Sequence, residues 1–231
     1  MKPSILIFVA VTLLVVCFSV PSYLRWRRQQ KELRDKLFSR LSKRSNRLFS
    51  SLGIIPDRYL PRDTKVFLVE YLLSVIEQLM GANYQSDFVS NKDQLTRLLT
   101  DLKQGRVVTS KDRVTTQEQL EQTHDAILYL LKEMRNMLDR HGAGRSIIKH
   151  HIVLMRYSHA LAYRDLLVRQ ARDDLDNDKK NRALEKYRAA LSVIEKNSSV
   201  NSSKREVARL QNMIQDVENI LFARKDKQVP N

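Results

Sequence analysis

The residues able to do chemistry are five histidines, a short aspartate run and one glycine-rich turn. His124, His141, His150, His151 and His159 would need metal-ligand spacing to act together. His124 and His141 lie 17 positions apart, and His150 and His151 point to different faces of any helix. Neither H-E-x-x-H nor a pair of Glu-x-x-His motifs occurs, so ordinary surface or interface histidines are expected. Asp173, Asp174, Asp176 and Asp178 suggest a cation loop, but the run reads as lacking both the glycine at the turn and the distal glutamate that such a loop needs. The cluster reads as a solvated helix terminus. His141-Gly-Ala-Gly-Arg-Ser146 opens a helix whose amides could hold an anion. It lacks the Lys-Ser/Thr of a phosphate loop, which leaves a flexible joint. The lone cysteine, Cys17, excludes an intramolecular disulfide and a cysteine metal site. No catalytic constellation, cofactor motif or metal set remains, and the expectation is a protein that is not an enzyme.

The element that must position everything else is the N-terminal segment. Between Lys2 and Arg25 no charged residue occurs for 22 positions. As a helix that stretch spans roughly 33 Å, enough for a bilayer core of about 30 Å. Ile5, Leu6, Phe8, Leu13, Leu14 and Val20 are among its span residues. A cleaved signal peptide would need a small-x-small site after the apolar run, and none follows. Residues 1–24 therefore read as an uncleaved transmembrane signal-anchor. Basic flanks stay on the cytoplasmic side, which places the short N-terminus outside and the rest in the cytoplasm. Tyr23 and Trp26 stand where interfacial aromatics belong. A bacterial inner membrane is the expected location. On that side the acceptor patterns at Asn197 and Asn201 have no consequence.

Charge is distributed unevenly. The formal net charge is +15, and residues 25–47 hold Arg25, Arg27, Arg28, Lys31, Arg34, Lys36, Arg40, Lys43, Arg44 and Arg47 against only Glu32 and Asp35. Leu33, Leu37, Phe38, Leu41 and Leu48 recur between them at helical spacing. Residues 25–51 thus form a basic amphipathic connecting helix. Its partners are the lipid bilayer and anionic head groups, at about 1 kcal/mol per basic residue near the surface. The stripe of leucines would serve equally to pack on the following domain. Nucleic acid is a further electrostatic alternative through residues 25–47, helped by Arg106, Lys111, Arg113 and Arg145.

Five glycines and five prolines in 231 residues disfavour a turn-rich β protein. Residues 52–224 read as a bundle of about six helices, and 225–231 as a flexible tail. A loop covers residues 51–62. The next helix, capped by Asp63 or Thr64 and stopped at Gly81, is apolar nearly all round and should be the buried centre. A short helix opens near Ser90 and stops at Gly105. Residues 105–115 could form a small hairpin or a basic loop. Thr115-x-x-Glu118 and Ser203-x-x-Glu206 match capping boxes for later helices. Further helices run from Ser146 to about Asn177 and over 179–196.

Ala183-x-x-x-Tyr187-x-x-Ala190-Leu191, with Ala171 and Leu167 before it, resembles a tetratricopeptide repeat. Asp174 occupies that family's aromatic position, and no 34-residue copy appears on either side. The resemblance covers about 30 residues and implies a close helical hairpin, with peptide binding as its functional extension. The function expected from the whole is an all-α, single-pass membrane scaffold or adaptor that binds a protein partner at the cytoplasmic face. The apolar faces of the helices at 115–141 and 203–224 are candidate contact surfaces.

Overall fold

The computed structural model describes the backbone of residues 3–106, 112–140, 144–197 and 201–226, and the side chains of residues 23–106, 112–138, 144–197 and 203–222. The described residues are all-α. Seven α-helices occur: α1 (Pro3–Ile54), α2 (Arg62–Gly81), α3 (Lys92–Gln104), α4 (Gln117–Arg140), α5 (Arg145–Asp176), α6 (Lys180–Glu195) and α7 (Asn201–Asp226). Two 3-10 turns, Asp57–Tyr59 and Val89–Asn91, complete the set, and no strand occurs among the described residues. Residues 107–111 of the expected hairpin or loop at 105–115, and residues 141–143 of the glycine-rich turn at 141–146, lie outside those described.

The helix boundaries have local causes. The helix leading out of the N-terminal segment continues to Ile54, so the loop expected at 51–62 is shorter. Ser51 donates to the Arg47 carbonyl, and Leu52 and Ile55 are buried; these contacts draw the last turn into the core. Asn83 adopts the left-handed conformation that ends α2, with Tyr84 N–H donating to the Leu79 carbonyl at 2.9 Å. Gly105, with φ of +70°, ends α3 as expected, and the Arg62 guanidinium adds donors to the orphan carbonyls of Leu102 and Lys103. The capping box of α4 is shifted by one residue. Thr116 Oγ1 accepts from Gln119 N–H at 3.2 Å, while the Gln119 side chain accepts from Thr115 N–H at 3.0 Å.

Two expected caps lie inside the fold. Helix α2 starts at Arg62 after Pro61, and Thr64 is fully buried against the His151 Nδ1 at 3.0 Å. Proline before the first turn supplies a preset φ and no wasted donor. Helix α7 begins at Asn201, which places Ser203 beyond the start of the helix, and Ser203 is buried. Glu206 reaches Arg164 of α5.

The centre of the bundle is α5, not α2. Sixteen of its residues are buried, spread around its circumference, and α4 and α6 pack on either side. Its sequence hides this role, because Arg164 and Asp165 look like surface residues and are buried as a pair. Helix α2 buries Leu68, Val69, Leu72, Val75, Ile76 and Leu79 but leaves its other side to an open groove. The α5–α6 joint is close-packed through Ala171, Ala183 and Ala190, all with no exposed surface, and Tyr187 fills the space beside them. Helix α7 packs on α6, α3 on α2, and the last turns of α1 lie across α2 and α4.

Candidate membrane-facing site

The N-terminal half of α1 stands clear of the bundle. The helix is continuous from Pro3 through Pro21 to Ile54. Its first ring contact with the bundle is Phe38 against Tyr84 at 5.7 Å. From residue 23 to residue 34 every side chain is exposed. Tyr23, Trp26, Leu33 and Leu37 are 56%, 55%, 55% and 63% exposed, unusual values for large apolar groups on a folded protein. Tyr23 and Trp26 lie beside one another, ring centroids 6.1 Å apart, and Arg27 sits over the Tyr23 ring at 5.9 Å. This places an aromatic pair where the charge-free segment meets the basic one. The side chains of Ile5, Leu6, Phe8, Leu13, Leu14 and Val20 lie outside the described residues. Among the described residues no helix is long and apolar enough to cross a membrane.

The ten basic side chains of residues 25–47 divide into two groups. Arg25, Arg27, Arg28, Lys31, Arg34, Lys36, Arg40 and Lys43 are exposed. Arg44, half-buried, and Arg47, itself exposed, are held by α4. Arg44 pairs with the buried Glu133, its carbonyl accepts from the Tyr129 hydroxyl at 3.2 Å, and Arg47 lies over the Tyr129 ring at 4.5 Å. Helical spacing alone could not separate the groups, since Glu133 and Tyr129 are more than eighty residues away. Burial raises the Tyr129 hydroxyl pKa, and the nearby Glu133 carboxylate adds to the rise.

The expected contact faces of α4 and α7 are mostly core. Leu120, Ile127, Leu131 and Met134 are buried in α4, and Leu210 and Val217 in α7. The surface does carry an apolar groove of about 1020 Å³ between α2, α3, α4 and α5, walled by Val66, Phe67, Tyr71, Met137, Ile147 and Ile148. His151 also lines it, its ring stacked on Phe67 at 4.7 Å. Burial, and then the neighbouring His150, hold the His151 pKa below the usual histidine value.

Three further polar groupings were not legible as pairs. His124 and His159 stack at 3.7 Å between ring centroids, and the His124 Nε2–H donates to the His159 carbonyl at 3.1 Å. Burial, with His124 adjacent, lowers the His159 pKa to about 4. In the aspartate run, Glu185 stands where the distal glutamate of a calcium loop would, twelve positions into a run beginning at Asp174. Helix α6 already begins at Lys180, and Asp174 is engaged by Lys186 at 2.6 Å, so the loop is too short to wrap a cation. No group of three or more metal-ligating side chains occurs among the described residues. The third grouping is a buried charge node. Asp165 accepts from Arg58 Nε at 2.6 Å, Tyr59 hydroxyl at 2.9 Å and Arg164 Nη1 at 2.7 Å. The Tyr59 oxygen in turn accepts from Val114 N–H at 3.0 Å. The node ties the Asp57–Tyr59 turn, α5 and the lead-in to α4 together, and Arg164 extends it to Glu206 of α7. An Arg-Asp pair inside the apolar run ALAYRDLLV was the available signal.

No protein-family model, curated protein or solved structure matches this chain.

Proposed function

We propose that the protein is a single-pass, membrane-anchored helical adaptor, which holds its bundle at the cytoplasmic face of a bacterial inner membrane and binds a protein partner there. The observation that carries the reading is the exposed half of α1. It carries six exposed cationic side chains before its first contact with the bundle, shows Tyr23 and Trp26 at its far end, and adjoins 22 residues without a charge. Each of those traits has a cost for a helix in water and a use beside a bilayer. Exposed aromatics sit at the head-group level, and cations near an anionic surface contribute about 1 kcal/mol each. Anchoring would concentrate and orient the bundle in a thin layer. The groove between α2 and α5 is where a partner's apolar side chains would seat.

Fractionation tests the anchor. The full chain should stay with membranes through high salt and alkaline carbonate, and a reporter fused at Asn231 should be cytoplasmic. Release by carbonate, or a reporter on the other side, rejects the reading. The eight exposed cations of residues 25–43 also support a second reading, reversible adsorption to anionic lipid or nucleic acid without insertion. That reading requires release by salt alone.

A further inference from the structure

The seam between α4 and α5 is joined at one place by two imidazoles. His124 of α4 and His159 of α5 are both half-buried, and their ring planes lie only 19° from parallel in the 3.7 Å stack. With the bond from His124 to the His159 carbonyl, the pair ties the two helices through a ring and through backbone. A stack this close suits two neutral rings and not two cations. Positive charges at that separation, half out of water, repel strongly.

Little is placed to offset such charge. Asp125 on α4 favours a charge on His124, but it is exposed and burial outweighs it. Glu121, one turn earlier, is also exposed. On α5, Tyr163 lies 6.5 Å from the His124 ring, and Arg156, one turn before His159, is itself a cation. From the other elements packed on these helices, Arg44 is paired with Glu133, Arg58 and Glu206 belong to the buried node, and Lys186 holds Asp174. Burial holds both histidines below their ordinary value, and for His159 the adjacent His124 adds to the fall.

We propose that the stacked pair is a proton-operated latch, closed while it holds no more than one proton, which parts the α4–α5 seam locally when both rings are charged. Leu120 and Ile127 lie one turn either side of His124 on its face of α4 and are buried, so parting would bare them. The open seam accepts protons that the closed one refuses, so opening grows as pH falls. His159 alone gives up to about tenfold per pH unit between 6.5 and about 4, and His124 steepens the rise. The latch works without reference to the anchor.

Amide hydrogen exchange of the full chain in detergent micelles, corrected for the intrinsic effect of pH on exchange, reads opening segment by segment. Residues 120–128 and 155–163 should lose protection several-fold per pH unit below 6.5, while residues 183–194 of α6, which carry no histidine, hold theirs. His159→Phe keeps a stacked ring without a proton site and should remove most of that step. Asp165→Asn should lower protection throughout and leave the step in place. By NMR of the histidine rings, His124→Phe should raise the His159 pKa. Loss of protection that is equal in all helices overturns the latch, because it reports unfolding of the whole bundle. So does a His159→Phe protein that keeps the wild-type step. Should that variant fail to fold, the wild-type ring titration decides: two rings that titrate independently at the ordinary histidine value overturn the latch, and two depressed, mutually dependent titrations support it.

Discussion

Replacing Asp165 by Asn keeps its size and an acceptor oxygen but removes the charge on which the node converges. The carboxylate is completely buried, and so is Arg164, whose side chain is 1% exposed. The variant would leave Arg164 with Glu206 alone and Arg58 without its hydrogen-bonded carboxylate, with only the charge of Glu206 nearby. Breaking a buried ion pair from one side costs about 3–5 kcal/mol. For a domain of this length that corresponds to a fall in melting temperature of roughly 6–20 °C. Acid dependence adds a second signature. Burial alone would push the Asp165 carboxyl up, but the hydrogen bonds and charges of Arg58 and then Arg164 outweigh it and hold it below its ordinary value of 3.8. A lowered folded pKa contributes stability that is complete above 3.8 and is lost as pH falls through the folded value. Urea titration followed by circular dichroism, on the full chain in detergent at neutral pH and at a series of acid values, measures both effects. The variant should be weaker at neutral pH and lose part of the wild-type acid slope. A loss below about 1 kcal/mol, with the acid slope unchanged, would refute the claim that this node carries charge in the folded state.

Three other outcomes follow from the packing. Glu133→Gln should cost about 3 kcal/mol in the same urea assay, since it leaves Arg44 against α4 without its anion, whereas Arg34→Ala should stay within about 0.5 kcal/mol. His159→Gln should flatten a pH dependence. Burial lowers the His159 pKa to about 4, so its stabilisation is complete above 6.5 and fades as pH falls from 6.5 toward 4, and thermal melts across this window should show less slope in the variant. Ala183→Leu should destabilise by about 1–3 kcal/mol, because the α5–α6 joint has no free volume at that side chain; an unchanged melting temperature would mean the joint is looser than described.

What the chain discloses by itself divides along physical lines. The helices are legible because their apolar periodicity and stops are local: α2 runs to Gly81, with Asn83 and not the glycine supplying the left-handed turn, and Gly105 ends α3. The capping box of α4 was legible only to within one residue, since Thr115 and Thr116 offer the same hydroxyl and the bond to Gln119 decides between them. Apolar content misleads about centrality, because hydrocarbon on a helix need not be buried. Helix α2 is rich in hydrocarbon yet leaves Phe67 and Tyr71 at a groove, while α5 hides an Arg-Asp pair in the middle of the core. The interactions that most constrain the fold join residues far apart in the chain. Arg44 with Glu133, His124 with His159, and Arg58 with Asp165 leave no mark in any window short enough to read as a helix face.

The lack of any joint in α1 has a geometric consequence for whatever grips its far end. From Tyr23 to Phe38 the helix is an uninterrupted shaft about 22 Å long, keyed to the bundle at its base by Arg44 and Glu133. Such a shaft transmits twist as well as displacement. Adding or deleting one residue near Gln30 would turn the bundle by about 100° and move it by about 1.5 Å, while two residues would bring it round to nearly the opposite side. Spacing and azimuth are thus set together by a count of residues, and a length series through this shaft would show a period of about 3.6 in any activity that depends on which way the bundle faces.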